Sequence, residues 1–185
     1  MKTKLKVGIL GATGAVGQRF VSLLKGHPWF QICQLKASRR SAGQSYREAV
    51  TWRLPDLPAE DVLNIQVTPC EPTEELDLVF SGLPASEADT VEPMFVNAGI
   101  PVVSNTRSHR MNPLVPLLIP EINASHLGLI HDQKKETGKS GFIVTNPNCS
   151  TIVLAMALAP IHRTFGIRKV MVTTAQAISG AGYTG

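Results

Sequence analysis

The sequence predicts an α/β fold: a doubly wound, mostly parallel sheet with helices on its faces. Three observations carry that expectation. Apolar runs of strand length alternate with amphipathic stretches of helix length. The first apolar run ends at once in a glycine-rich turn, and a second follows the intervening helix without room for a hairpin. The 185 residues suit one complete domain with the start of another, and a composition of 43% hydrophobic and 17% charged residues is that of a globular chain.

Lys4 to Leu10 reads as a buried strand ended by Gly11. Gly14 to Lys25 reads as an amphipathic helix, with Val16, Phe20, Leu23 and Leu24 on one side. Gly26-His27-Pro28 stops it, and Phe30 to Ala37 is the second strand. Ser38 to Pro72 is polar and broken by prolines; it is expected to be a long excursion with one short strand near Ile65 to Val67. Leu76 to Phe80 is the next strand, Glu87 to Ala98 a helix, Val102-Val103 a strand, and Leu117 to Ile119 a further short apolar segment. His131 to Gly141 is charged and is expected to form a mobile loop. Phe142 to Thr145 reads as a buried strand, and Cys149 or Ser150 opens an apolar helix to about Ile161. Lys169 to Ala175 is β-branched and is expected to be a strand. The predicted domains are therefore 1–150, a complete α/β unit, and 151–185, the first helix and strand of a second, α+β domain.

Composition narrows the function. The net charge of +4 suits an anionic ligand or an ordinary solvated surface. Aromatic residues are few and no basic run interleaves with them, so a nucleic-acid surface is not expected. No apolar run reaches spanning length, so no membrane is expected. Three cysteines, Cys33, Cys70 and Cys149, cannot all pair and match no metal spacing. A cytoplasmic protein without a metal is the expectation.

Gly11, Gly14 and Gly17 punctuate the first turn at a G-x-x-G-x-x-G spacing. Such a turn either serves only close helix–sheet packing or holds a dinucleotide pyrophosphate at the helix N-terminus; its place between the first strand and the first helix favours the second, a Rossmann-type unit. Gly11, Thr13, Gly14, Ala15 and Val16 are the candidate contacts. Cofactor choice is read at the end of the second strand, where an NAD site carries a carboxylate. Here stand Ser38-Arg39-Arg40-Ser41, with two guanidiniums and no acid. Guanidinium matches phosphate in charge and fork geometry, so NADP is expected, with Ser38, Arg39 and Ser41 at the 2′-phosphate; surface charge is the alternative.

Asn146-Pro147-Asn148-Cys149-Ser150-Thr151 lies between a buried strand and an apolar helix. That places Cys149 at a helix N-terminus, where the dipole favours a thiolate able to attack an aldehyde or acyl phosphate. Most cysteines are instead inert and buried; the flanking polar residues and the preceding dinucleotide motif favour the nucleophile. Cys33 is expected in the core, and Cys70 without a role.

The segments GATGAVGQ, SRRSAG, Ser81-Gly82, SNTRSHRM, NPNCST and QAISGAG, in that order, resemble aspartate-semialdehyde dehydrogenase, most closely its archaeal and fungal branch. The resemblance runs over essentially the whole chain. It implies interconversion of aspartyl-β-phosphate and aspartate semialdehyde, with NADP and phosphate, in amino-acid biosynthesis, by an enzyme that is homo-oligomeric when intact. It implies that Cys149 is the nucleophile, Gln176 the residue that orients substrate, Arg110 the phosphate-binding arginine and Asn148 a holder of the acyl group, with Ser81 and Gly82 against the coenzyme. The family's general-base histidine and second substrate arginine lie further downstream than residue 185, and none of His27, His109, His126, His131 and His162 falls in the histidine motif. The chain is thus expected to be a truncated, coenzyme-binding part of the enzyme, inactive by itself. N-acetyl-glutamyl-phosphate reductase performs the same chemistry, but its cysteine segment differs from Asn148-Cys149-Ser150-Thr151. Related malonyl-CoA reductases, and a non-catalytic nucleotide sensor on the same fold, remain as alternatives.

Overall fold

The computed structural model describes residues 3–176. Strand β1 (Leu5–Leu10) leads through the glycine turn into helix α1 (Ala15–Leu23) and strand β2 (Phe30–Ala37). The excursion that follows holds two single-turn helices, α2 (Tyr46–Ala49) and α3 (Glu60–Leu63), before strand β3 (Val67–Pro69). Strand β4 (Leu78–Ser81), helix α4 (Ala85–Asn97) and strand β5 (Val102–Ser104) form the next crossover. Helix α5 (Pro120–Asn123), a 3-10 turn (Ala124–Gly128) and helix α6 (Leu129–Thr137) lead to strand β6 (Ile143–Thr145), and helix α7 (Cys149–Phe165) follows.

All six strands are parallel, in the order β3-β2-β1-β4-β5-β6. The chain runs outward from β1 on one side, then returns to β1's other side to run outward again, which is the doubly wound arrangement that the alternating pattern predicts. Successive strand residues face opposite sides of the sheet. Leu10 accordingly joins one core with Val79, Phe95, Val102 and Ile143, while Ile9 joins the other with Val21, Leu35, Tyr46 and Val67. Each such fully buried apolar side chain stabilises the fold by about 1.5–3 kcal/mol.

Three expectations are corrected. The short strand is Val67–Pro69 rather than 65–67, because Gln66 is drawn into an antiparallel bridge with Ser45. The charged stretch 131–141 is not a loop: most of it belongs to α6, which directs its lysines and acids outward and ends at Gly138. The run Lys169 to Ala175 is not a strand and lies exposed. Its β-branched residues need a partner strand, and none pairs with them among the described residues.

The apolar segment Leu117 to Ile119 adds a rung beside β6: Leu118 N–H donates to the Thr145 carbonyl at 2.8 Å, and Thr145 N–H to the Pro116 carbonyl at 2.9 Å. The buried amide of Gln133 holds this edge from α6. Its Nε2 donates to the carbonyls of Leu114 and Ile143, both at 3.1 Å, and its Oε1 accepts from Ile143 N–H at 2.6 Å. Gln133→Leu strands these buried backbone groups and is expected to lower unfolding free energy by about 2–3 kcal/mol. Urea denaturation checks this; a change within about 0.5 kcal/mol, the range of an ordinary surface substitution, contradicts it.

Candidate coenzyme and thiol site

Five of the segments singled out from the sequence lie at the carboxyl end of a strand: the glycine turn after β1, Ser38 to Ser41 after β2, Ser81-Gly82 at β4, Asn105 to Arg110 after β5, and Asn146 to Cys149 after β6. Because the strands are parallel, these ends lie along one edge of the sheet, where open α/β sheets bind ligands. Helices start there as well, with their N-terminal amides facing the same crevice.

The glycine turn is closed by backbone contact. A Cβ on Gly17 would stand 2.1 Å from the Gly11 carbonyl oxygen and 2.6 Å from Ala12 Cα, so no side chain fits. Gly11 has φ +73°, a left-handed conformation that glycine adopts without strain. Two buried side chains that sequence reasoning missed hold the turn. Tyr46 Oη donates to the Ala12 carbonyl at 2.9 Å. Gln18 Nε2 donates to the carbonyls of Thr13, at 3.0 Å, and Thr51, at 3.1 Å, while its Oε1 accepts from Arg53 N–H at 3.0 Å. Helix α1 begins at Gly14 with no side-chain cap, which leaves the amides of Ala15 and Val16 available to an anion. Val16 also packs on the β4 loop, where a Gly82 Cβ would lie 2.9 Å from its Cγ1. Next to it, Ser81 Oγ is buried without a hydrogen-bond partner among the described residues.

A cleft of about 410 Å³ opens beside the turn, lined by Thr13, Ser38, Arg40, Ser41, Thr51 and Arg53, among others. Of the two adjacent arginines, Arg40 lines it. Arg39 turns away, with Nη2 3.7 Å from Glu71 Oε1 and both side chains largely exposed. The sequence-based choice of Arg39 is thus not the guanidinium that lines the cleft, and Arg53, which is, carries no motif that could have marked it.

At the far end of the edge, Cys149 opens α7 and is exposed. Gln176 Nε2 donates to its Sγ at 3.2 Å. Asn148 serves as the helix cap, its Oδ1 accepting from Thr151 N–H at 2.8 Å. Asn105 links this turn to the Arg110 loop: it accepts from Asn146 Nδ2 at Oδ1, 2.8 Å, and from Arg110 Nη2 at its carbonyl, 3.1 Å. Burial lowers the Arg110 pKa, and the sulfur of Cys149 lies close enough to oppose that shift. The fold therefore brings Cys149, Gln176 and Arg110 together, and commits the Asn148 side chain to the helix. The rest of the QAISGAG segment lies outside the described residues. Among the described residues no helix is long and apolar enough to cross a membrane, and no three His, Cys, Asp or Glu side chains gather as a metal would need.

Cys33 and Cys70 are half-buried, and burial is the largest influence raising both thiol pKa values. A raised pKa means less thiolate at neutral pH. Limited iodoacetamide treatment at pH 7 with peptide mapping is expected to label Cys149 first; equal labelling of all three contradicts this site.

A sequence model described as semialdehyde dehydrogenase, NAD binding domain, matches residues 6–130. Aspartate-semialdehyde dehydrogenase of Archaeoglobus fulgidus is 50% identical over 187 aligned residues, covering 98% of this chain and 53% of its own length. The Cryptococcus neoformans enzyme of that name is 47% identical, covering 100% of this chain and 52% of its own. The chain thus spans about half the length of the curated relatives it matches. Among solved structures, aspartate semialdehyde dehydrogenase with NADP from Candida albicans superposes with a TM-score of 0.82 at 42% identity, covering 88% of this chain and 48% of that one. Aspartate semialdehyde dehydrogenase II complexed with ASA from Vibrio cholerae gives a TM-score of 0.78 at 28% identity, covering 99% and 49%.

Proposed function

The chain belongs to the semialdehyde dehydrogenase family, whose NAD-binding domain it carries at residues 6–130, and from that premise we propose that it is the coenzyme-binding part of an NADP-dependent aspartate-semialdehyde dehydrogenase. The observation that carries the proposal is the gathering, on one sheet edge, of an uncapped helix N-terminus, an arginine-lined cleft and an exposed cysteine with its amide partner. Relatives bearing that name include archaeal and fungal proteins.

The residues present fit NADP. Ala15 and Val16 offer amides to the pyrophosphate, with Gly11, Thr13 and Gly14 forming the turn beneath it. Ser81 Oγ, buried and unpartnered, and Gly82 border that turn. Ser38, Arg40, Ser41 and Arg53 would take the 2′-phosphate in the cleft. When bound, the reduced coenzyme would supply the hydride that, with a proton from solvent, converts a thioester to a thiohemiacetal.

The rest of the reaction falls to the protein. Cys149 Sγ attacks the β-acyl carbon of aspartyl-β-phosphate, a carbon–sulfur bond forms, and the carbon–oxygen bond to phosphate breaks. Arg110 receives the departing phosphate, for which its guanidinium is suited by charge and shape. Gln176 holds the sulfur and the acyl group in register from its contact at 3.2 Å. Asn148 acts through the helix cap, fixing the turn that presents the sulfur. After reduction the carbon–sulfur bond breaks, releasing aspartate semialdehyde and regenerating the thiol.

Residues 1–150 are the coenzyme domain in this reading, and 151–185 open the substrate domain. Helix α7 supports the division: it is apolar, yet none of its residues is buried, and Val153 and Phe165 are 73% and 82% exposed. A preparation of these 185 residues alone is expected to bind NADP without turnover, since the general base implied by the resemblance is not among them. The intact protein is read as homo-oligomeric and cytoplasmic.

Coenzyme titration of Arg40 and Arg39 variants tests the reading. One charge-assisted hydrogen bond to phosphate is worth about 1.5–3 kcal/mol, so Arg40→Ala should weaken NADP binding by about 10–100-fold while leaving NAD binding unchanged. Arg39→Ala should change either by less than about twofold, as expected for an exposed pair. Equal affinity of the parent chain for NAD and NADP, or dominance of Arg39, overturns the assignment.

A further inference from the structure

Glu92 is fully buried in the middle of α4. A carboxylate there is costly, and a well-packed apolar side chain would stabilise α4 as well or better. What Glu92 touches explains the choice. Its Oε1 accepts from Ser104 Oγ at 2.8 Å, and its Oε2 stands 3.2 Å from His109 Nε2. That approach is off the line of a good hydrogen bond, and neither Oε2 nor Nε2 has another partner among the described residues. Ser104 Oγ in turn accepts from Thr106 N–H at 3.1 Å and lies 3.0 Å from Thr106 Oγ1, and Thr106 Oγ1 accepts from Ser108 N–H at 3.4 Å. One carboxylate thus grips the loop 105–110 near its start, through Ser104 and Thr106, and near its end, through His109.

Arg110 is the next residue. Its Nη2 reaches back across the loop to the Asn105 carbonyl, and its Nε is buried without a partner among the described residues. Asn105 N–H to the Ser81 carbonyl at 2.9 Å and Ser108 Oγ to the Ala85 carbonyl at 3.2 Å also tie the loop down, but the Glu92 contacts are the ones that reach both its start and His109, the neighbour of Arg110. We infer that Glu92 and His109 form a buried positioning pair that sets the Arg110 guanidinium beside the Cys149 sulfur. The inference rests on the reading of Arg110 as the anion-binding residue of that site. Neither Glu92 nor His109 touches substrate; both act through the loop.

Charge-selective alkylation of the 185-residue chain reads the placement directly. Iodoacetate carries a negative charge and iodoacetamide none, so their rate ratio at Cys149, followed by peptide mass spectrometry, reports the positive charge beside the sulfur. Arg110→Met should lower that ratio by about fivefold, the worth of one charge a few ångströms away in water. His109→Leu should lower it nearly as far, and His109→Gln, which can still donate to Glu92, should restore it to within about twofold of the parent. Ser104→Ala, a change small enough to leave the fold intact, should lower it in the same direction. The ratio cancels any change in the thiolate fraction of Cys149, which slows both reagents alike, and the His109→Gln rescue separates positioning from a general loosening. If Arg110→Met lowers the ratio but His109→Leu and Ser104→Ala do not, the positioning role is overturned and Arg110 stands. If Arg110→Met leaves the ratio unchanged, the reading of Arg110 falls, and this inference with it.

Discussion

The approach of α1 to the end of β1 governs this molecule. With a would-be Gly17 Cβ only 2.1 Å from the Gly11 carbonyl, the helix can begin directly against the strand end, and no side chain caps its first turn. The positive end of α1 therefore faces the crevice at the carboxyl edge of the sheet instead of being consumed by the protein. Such amides are satisfied by water until an anion replaces it. Underneath, Gln18 and Tyr46 satisfy the carbonyls of Ala12, Thr13 and Thr51. Gln18 also binds the backbone of Arg53, so the same buried amide that supports the glycine turn fixes one wall of the neighbouring cleft.

Helix α7 begins differently. Its N-terminus is capped by Asn148, and the group it presents is a sulfur rather than free amides. The two helix starts divide the chemistry: one suits a bound anion, the other a nucleophile. Parallel strand order places both on one edge, and Asn105 couples the second to the Arg110 loop. Burial lowers the affinity of the Arg110 guanidinium for its proton while the sulfur acts in the opposite sense. Its Nε is buried without a hydrogen-bond partner among the described residues.

Much of this was readable in the sequence, for identifiable reasons. Gly11, Gly14 and Gly17 declare a turn because their spacing has a steric meaning, and strands buried on both faces declare themselves as short apolar runs. Cys149 at a helix start follows from the polar-to-apolar change at residues 148–152. Side-chain direction was not readable: Arg39 and Arg40 are neighbours of one type, and only the fold of the turn sends one into the cleft and the other toward Glu71. Gln18 and Glu92 are buried polar residues with no sequence mark, because nothing local reveals a distant partner. The lysines and acids of 131–137 concealed α6, whose single buried polar anchor, Gln133, carries no apolar signal. The β-branched run 169–175 shows the converse limit, since strand propensity without a partner produces no strand.

The central claim is that the uncapped start of α1 holds the coenzyme's pyrophosphate. Amide hydrogen–deuterium exchange of the 185-residue chain, with and without saturating NADP, tests it most directly. Slowed exchange at residues 13–16, accompanied by protection at 38–41, is the result this account requires. Unaltered exchange at residues 13–16, whether or not protection appears elsewhere, would contradict it.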